Sequence, residues 1–264
     1  TFGGNLVTNG DFSQEGPELI TNGDFATDSD WTLTQATISG GYLNISTTDG
    51  SFSGARQFVF TVGKTYLVSL EISNIVGTVE VDVNSGSVYG QTFTTNGSKS
   101  FYLKAENTDI EVKRAFGAEQ VISATIDNVS VKEVGQDWDF VGEAELTAQG
   151  ARVYSSTGSY SSVRQSSDVL TIGNKYKITF NVISTNGTSL ANGNSNITYD
   201  TSTTGNKTFY ITASEVGLIF KRAAAITTDV TITNISVIEI TDDTNLPRID
   251  YSPYSGAGTC GHWL

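Results

Sequence analysis

The chain has 264 residues, of which only 16% are charged, and a formal net charge of −13. This length suits two domains of ordinary size, and the acidic balance disfavours phosphate-rich partners, because like charges repel. We therefore expect no nucleic-acid partner. No apolar run approaches the ~20 residues of a membrane span, so we also expect no membrane insertion.

A short duplication occupies the first 25 residues. The stretch Asn5–Phe12 is repeated by Leu19–Phe25, and the two Phe residues are 25 − 12 = 13 positions apart. Only one copy is needed as the first strand of the module that follows. We therefore predict that residues 1–17 form an N-terminal segment or linker, or the stub of a preceding interaction.

Period-two alternation follows and predicts strands with one buried face. Apolar residues alternate with polar ones over Tyr66–Ile72, over Val79–Val83 and again over Tyr176–Val182. Thr, Val, Ile, Tyr and Phe favour strands, and no amphipathic helical stretch of ten residues occurs. A β-bulge at Asp127-Asn128 would place both Ile126 and Val129 in the core. The pattern predicts an all-β protein.

A long internal repeat organises the chain into two related halves. Lys113 and Lys221 are 221 − 113 = 108 residues apart, and Asn128 and Asn234 are 234 − 128 = 106 apart. A period this long indicates duplicated domains rather than a solenoid. We predict two tandem antiparallel β-sandwich modules of jelly-roll type over 18–134 and 135–240, with a short irregular C-terminal tail over 241–264 linking to a further domain. The aligned pairs include Trp31 with Trp138, Arg56-Gln57 with Arg164-Gln165, and Lys113-Arg114-Ala115 with Lys221-Arg222-Ala223.

Sugar binding requires exposed aromatic faces beside polar groups, because pyranose rings have apolar faces and hydroxyls that need partners. The alternative for each such aromatic is core or cross-strand packing, and the recurring Arg-Gln pairs could equally serve structural hydrogen bonds. Trp31 and Trp138 are expected in the core, because each opens a module at the same place. The carbohydrate-binding candidates are Tyr42, Phe52, Arg56, Gln57, Tyr89 and Phe93 in the first module, and Tyr154, Tyr160, Arg164, Gln165 and Tyr199 in the second.

A catalytic centre is difficult to assemble from this sequence. The single histidine, His262, lies two residues from the single cysteine, Cys260, in a glycine-rich tail, whereas a nucleophile pair must converge in a folded pocket. Glu71, Glu80 and Asp82 alternate with apolar residues and are interpreted as ordinary polarity of an outer sheet face. We predict that the protein is not an enzyme.

Four stretches together resemble a known family: Leu19–Phe25, Trp31, Gly63–Ser69 and Ile126–Val131. They look like the jelly-roll carbohydrate-binding modules of bacterial polysaccharide hydrolases, which bind β-glucan and xylan. Similar modules occur in bacteriophage tail fibres and other appendages. The resemblance covers most of 18–134 and, less closely, 137–240, where the Asn-Gly-Asp-Phe opening is missing.

The resemblance also implies a structural Ca²⁺ joining the first strand to the last. The matching acidic positions are Asp24 and Asp127, whereas Ala26 and Thr233 replace acidic residues of the pattern. We therefore expect Ca²⁺ in the first module only, as the single candidate cofactor.

The tail from Asn245 to Leu264 resembles a segment of phage fibre-like proteins, and the absence of methionine indicates an excised or matured fragment. The function expected is a non-catalytic attachment protein on a virion surface, of tail-fibre or head-fibre type, located on the virion or extracellularly. Its partners would be a cell-surface or extracellular glycan and other virion proteins, in a homo-oligomer that we expect to be a trimer. The alternative is a secreted bacterial polysaccharide-binding module pair from a hydrolase or adhesin. A third possibility is a structural decoration without a ligand.

Overall fold

The computed structural model describes residues 2–83, 90–117, 121–193 and 197–241, and these residues form two compact all-β units. No helix able to cross a membrane occurs among them. The strands, in chain order, are β1 (Phe2–Asn5), β2 (Glu15–Glu18), β3 (Thr32–Thr34), β4 (Ala36–Ser39), β5 (Tyr42–Thr47), β6 (Gly54–Phe58), β7 (Thr65–Val76), β8 (Val79–Asp82), β9 (Gln91–Phe93), β10 (Gly97–Lys104), β11 (Asp109–Arg114), β12 (Ile122–Val134), β13 (Trp138–Val141), β14 (Glu145–Thr147), β15 (Gly150–Ser155), β16 (Ser162–Gln165), β17 (Lys175–Thr185), β18 (Leu190–Ala191), β19 (Thr198–Tyr199), β20 (Gly205–Thr212), β21 (Ile219–Arg222) and β22 (Thr228–Ile240).

Each unit contains a six-stranded and a five-stranded antiparallel sheet, which we call its large and small sheets. Module one has the large sheet β10-β7-β12-β5-β4, with β2 added beside β12, and the small sheet β3-β6-β11-β8-β9. Module two has the large sheet β14-β15-β22-β17-β20, with β1 added beside β22, and the small sheet β13-β16-β21-β18-β19. Every strand of one module has a counterpart in the other, so the predicted tandem of antiparallel β-sandwiches is confirmed.

The core of module one lies between the inward faces of its two sheets. Tyr66, Val68, Leu70 and Ile72 from the large sheet are buried, and so are the apolar residues of β8 and β11. The predicted alternation therefore gives the correct buried face. Trp31 and Trp138 are also buried, as expected.

The first strand of the chain belongs to module two. Strand β1 pairs with β22 through Phe2 opposite Ile240 and Asn5 opposite Ile238, whereas β2 pairs with β12 through Lys132 opposite Glu18. The linker predicted over residues 1–17 is therefore corrected, because both of its strands are paired in sheets. Module two also does not lack the Asn-Gly-Asp-Phe opening, since the first copy supplies it from more than 200 residues away.

Module one is thus inserted, in chain order, between the first strand of module two and the rest of that module. A sandwich of this topology needs its first strand beside its last, and the two copies of the opening are nearly identical. Their order along the chain does not reveal which module each one completes.

The bulge predicted at Asp127-Asn128 is confirmed, and module two has its counterpart. The register of β12 against β7 shifts between Asp127 and Ser130, and Asn128 takes a left-handed φ of 51°. Its counterpart Asn234 has a φ of 55°, beside a register shift of β22 against β17. Asparagine tolerates this conformation better than most residues. The predicted tail over 241–264, with Cys260 and His262, lies outside the described residues except for its first residue.

Candidate functional site

The outer face of the small sheet of module one carries an unusual set of charged residues. Strands β8 and β11 alternate, so their valines and Ile110 point into the core, and the intervening residues share the opposite face. Register places them side by side, with Arg56 opposite Glu111, Glu111 opposite Asp82, and Lys113 opposite Glu80. Four adjacent strands therefore bring together Thr32, Arg56, Glu111 and Asp82 in one row.

Three of these residues form a compact ionic cluster. The Lys113 ammonium donates to the Asp82 carboxylate at 2.7 Å and to the Glu111 carboxylate at 3.0 Å. The side chains are only 10%, 3% and 8% exposed for Lys113, Asp82 and Glu111. Burial acts to lower the Lys113 pKa, but the hydrogen bonds and charges of the two carboxylates outweigh it, and that pKa is raised. The lysine stays charged and balances one of its two partners.

The interpretation of Glu80 and Asp82 as ordinary solvent-facing polarity is corrected. Both residues are buried, whereas Glu71 on the large sheet is exposed as expected. Alternation assigns the correct face of the strand, but the outer face is not open at these positions. The backbone of Gly90 lies close above Asp82, where an added Cβ would meet the Asp82 Cβ at 2.7 Å.

Glu80, next to this cluster, accepts a hydrogen bond from the backbone of a residue with an exposed aromatic ring. Its carboxylate accepts the backbone N–H of Phe116 at 3.0 Å. The Phe116 residue itself is 85% exposed, the largest exposure among the large hydrophobic residues described.

A cleft of about 210 Å³ opens on the same face. Gly54 lines the cleft where β6 approaches β11 closely, since a Cβ there would meet the Lys113 Cβ at 2.6 Å. The guanidinium of Arg56 lies 5.5 Å from the centre of the Phe58 ring, which is also exposed. The cleft therefore combines one aromatic ring, a guanidinium group and hydrogen-bond acceptors. Its lining residues are Thr32, Thr34, Phe52, Gly54, Ala55, Arg56 and Glu111.

Of the candidates in module one, the structure brings Phe52 and Arg56 together in this cleft. Tyr42 is exposed but lies at the start of β5 in the large sheet, opposite Ser39. Phe93 packs near Phe101, with ring centres 5.7 Å apart. Tyr89 lies outside the described residues.

The candidates of module two are dispersed. Tyr160 is exposed just before β16, and Arg164 pairs with Asp139 at 3.0 Å. Tyr154 lies in the large sheet with the Arg152 guanidinium 4.1 Å from its ring centre. Tyr199 is fully buried among phenylalanines.

The glutamines of the recurring Arg-Gln pairs have a structural role in both modules. The Gln57 amide donates to the Thr21 carbonyl at 2.9 Å and to the Asp30 carbonyl at 3.2 Å. The Gln165 amide donates to the Thr8 carbonyl at 3.2 Å and to the Asp137 carbonyl at 3.1 Å. Repetition of a residue in both halves therefore marks a shared structural requirement here.

The residues that sequence reasoning missed are Lys113, Glu111 and Phe116. A usable signal existed, because a feature specific to one module should break the repeat. Register aligns Glu111 with Ile219, since they oppose Arg56 and Arg164 respectively. It aligns Glu80 with Ala191, since they oppose Lys113 and Lys221.

The two residues expected to hold Ca²⁺ each bond to their own backbone turn. The Asp24 carboxylate accepts the Ala26 N–H at 3.3 Å, and the Asp127 carboxylate accepts the Asn128 N–H at 2.7 Å. Within the described ranges no group of three or more His, Cys, Asp or Glu side chains is arranged to hold a metal. Calcium has six to eight oxygen ligands, so backbone carbonyls and water would have to supply most of them here.

Neither a protein-family model nor a curated protein matches the chain. Among solved structures, it is similar to the N-terminal CBM22-1–CBM22-2 tandem domain of Xyn10C from Paenibacillus barcinonensis, at 10% identity and a TM-score of 0.33, over 86% of this chain and 99% of that one. It is also similar to a CBM4 structure, at 14% identity and a TM-score of 0.29, over 48% of this chain and 99% of that one. The fold described above rests on the strand pairing of the chain itself.

Proposed function

We propose that this protein is a non-catalytic attachment protein whose module one binds an extracellular glycan on the outer face of its small sheet. The observation that carries the proposal is the cleft beside the buried Lys113 cluster, which is lined by the exposed ring of Phe52 together with Arg56 and Glu111. Aromatic faces pack against the apolar faces of sugars, and carboxylates and guanidinium groups bond the hydroxyls.

The charge of the face favours a neutral glycan. Four carboxylates, from Glu80, Asp82, Asp109 and Glu111, lie on this face with two cations, from Arg56 and Lys113, which leaves a formal local charge of 2 − 4 = −2. A polyuronate would bring further carboxylates toward this face and be repelled. Neutral β-glucans and xylans, the ligands of the modules that the sequence resembles, suit it better.

A binding role also suits the carboxylates better than glycoside hydrolysis. Hydrolysis of that kind uses two carboxyl groups as a separate acid and nucleophile or base across the scissile bond. Asp82 and Glu111 instead share the single ammonium of Lys113.

Affinity electrophoresis through soluble xylan, mixed-linkage β-glucan and polygalacturonate tests the proposal. We expect retardation by a neutral polymer and none by polygalacturonate. Phe52→Ala should weaken binding roughly tenfold, or about 1.4 kcal/mol, because Phe52 is the aromatic residue that lines the cleft. Tyr160→Ala, at the position of module two that corresponds to Phe52, is the matched control and should bind as the unchanged chain does. Retardation that Phe52→Ala leaves intact would place the site elsewhere.

The setting that we propose is the surface of a virion, as part of a tail fibre or head fibre, with other virion proteins as partners and a trimeric assembly. Support comes from the resemblance of the modules and of the tail segment to phage appendage proteins. The alternative is a secreted bacterial polysaccharide-binding pair. Light scattering on the purified chain separates the two, because a stable trimer favours the virion appendage and a monomer that binds glycan favours the secreted pair.

A structural Ca²⁺ at Asp24 and Asp127 is a further part of the proposal. Scanning calorimetry with Ca²⁺ and with a chelator tests it. A bound ion should raise the melting temperature of module one, because a ligand of the native state stabilises that state. Asp127→Asn should remove the response. Equal melting temperatures in both solutions would contradict the metal assignment.

A further inference from the structure

The two opening segments are seated in their modules by matching contacts. We define opening segment one as Asn5–Asp11 and opening segment two as Glu18–Asp24, related by the 13-residue offset. In module two, the Leu6 N–H donates to the Val237 carbonyl at 2.8 Å, and the Ile235 N–H donates to the Gly10 carbonyl at 2.9 Å. The Trp138 indole N–H donates to the Asn9 carbonyl at 3.0 Å.

Module one reproduces each of these contacts. The Leu19 N–H donates to the Val131 carbonyl at 3.0 Å, and the Val129 N–H donates to the Gly23 carbonyl at 2.9 Å. The Trp31 indole N–H donates to the Asn22 carbonyl at 3.1 Å. The glutamine amides described above complete both sets. Each module therefore holds a docking groove for its opening segment, formed by its last strand, its tryptophan and its glutamine.

The groove is selective for the Asn-Gly pair. A Cβ on Gly10 would lie 2.1 Å from the Ile235 carbonyl oxygen, and a Cβ on Gly23 would lie 2.1 Å from the Val129 carbonyl oxygen. The preceding Asn9 has a left-handed φ of 49°, which asparagine adopts more readily than most residues. Recognition therefore combines backbone hydrogen bonds with a steric requirement for glycine.

Only the residue that begins each segment differs in chemistry. The Asn5 side-chain oxygen accepts the Val237 N–H at 2.9 Å and the Ser236 hydroxyl at 3.1 Å. Glu18 makes the same two contacts with Val131 and Ser130, through both oxygens of its carboxylate. Each side chain thus joins the first strand of its module to the last strand through hydrogen bonds.

Both opening segments begin on exposed strands. Strand β1 is exposed at all four of its residues and pairs irregularly with β22, and β2 is exposed at three of its four residues and pairs irregularly with β12. Opening segment one differs in its place along the chain, because the whole of module one lies between it and its groove. This separation slows closure within one chain and adds a closure cost that grows only slowly with length. Only Ser13 and Gln14 separate Phe12 from the start of β2, and short connections of this kind favour exchange of an element between copies.

We propose that the groove of module two is an intermolecular docking site, whose partner is opening segment one of a second copy of this chain. Exchange of this kind reuses the native contacts of Leu6, Asn9 and Gly10 and needs no new interface. It would join copies through their first strands, independently of any glycan in module one.

A full chain with a specific protease site between Ser13 and Gln14 tests the groove. After cleavage, an isotopically labelled synthetic peptide of residues 1–13 is added, and uptake is followed by native mass spectrometry. We expect the labelled peptide to replace the original segment, and the Gly10→Ala peptide to be taken up at least roughly tenfold less. The Gly4→Ala peptide is the matched control, because a Cβ at Gly4 meets no atom within 4 Å. Equal uptake of the Gly10→Ala peptide would overturn the proposal.

The intact chain tests the partner. Two copies with different affinity tags are unfolded together, refolded at high concentration and captured through one tag. Mixed oligomers should form, and a flexible linker between Ser13 and Gln14 should shift them toward monomers by easing closure within one chain. Recovery of a single tag, or mixed oligomers that the linker leaves unchanged, would rule out exchange between copies.

Discussion

The same sheet face differs sharply between the two modules. In module one, Lys113 lies between Asp82 and Glu111 at 2.7 and 3.0 Å and is nearly buried. In module two, Lys221 has the same place but is only partly buried. The register aligns Ala191 with Glu80 and Ile219 with Glu111. Two residues further along the chain, the same alignment makes Gly193 the counterpart of Asp82.

The rest of the framework is kept in both copies. The hydroxyl of Tyr66 accepts the Thr61 N–H at 2.8 Å, and that of Tyr176 accepts the Thr171 N–H at the same distance. Features that fold the sandwich are therefore duplicated, whereas the ionic cluster and the exposed Phe116 are confined to module one. This difference is why the glycan site that we propose is placed in module one.

The largest difference between the modules should appear when the equivalent lysine of each is removed. Lys113→Met removes the ammonium that the buried Asp82 and Glu111 carboxylates share, so module one should lose about 3–5 kcal/mol of stability. Lys221→Met is the matched change and should cost less than about 0.5 kcal/mol. Urea unfolding that resolves the two modules measures both. Equal losses would mean that the buried cluster does not distinguish them.

The glycine of each opening segment should affect its own module alone. Gly23→Ala should destabilise module one, and Gly10→Ala module two, by about 2–3 kcal/mol, because the added methyl overlaps a carbonyl oxygen. Gly4→Ala is the control and should be nearly neutral. Calorimetry that assigns each loss to the opposite module would contradict the strand pairing described here.

Acid should weaken the hydrogen bonds by which Glu18 joins the first strand of module one to its last strand. The corresponding hydrogen bonds of Asn5 in module two should be unaffected. Burial acts to raise the Glu18 pKa, but hydrogen bonds from Ser130, Val131, Ile20 and Leu19 outweigh it, and that pKa lies below its ordinary value of 4.5. A depressed folded-state pKa contributes stability above pH 4.5 that is lost as the pH falls through the folded pKa. The contribution should be at most about 1 kcal/mol, since Glu18 is exposed and screened.

Glu18→Gln isolates this contribution. The variant should show a shallower loss of module-one stability between neutral and acidic pH, measured as the free energy of unfolding at each pH. Asn5 has no charge to lose, so Asn5→Ala should weaken module two equally at every pH. An unchanged acid slope in Glu18→Gln would show that the carboxylate contributes through its hydrogen bonds regardless of ionisation.

The sequence by itself determined the local structure and the repeat. Alternation over Tyr66–Ile72 gives the buried face, the left-handed preference of asparagine explains the bulge at Asn128, and the repeat gives two modules with buried tryptophans. These features depend on residues close together in the chain, or on similarity between its halves, so they can be derived without coordinates. The candidates Phe52 and Arg56 were also found in this way.

Only the tertiary structure decided which opening segment completes which module, and what covers the outer face of the small sheet. Asn5 meets Val237 across more than 200 residues, and no local pattern records that pairing when two nearly identical segments compete for it. Alternation likewise assigns Asp82 to the outer face but carries no information about burial there. The Lys113 cluster arises from cross-strand neighbours, which are set by the register between strands distant in sequence.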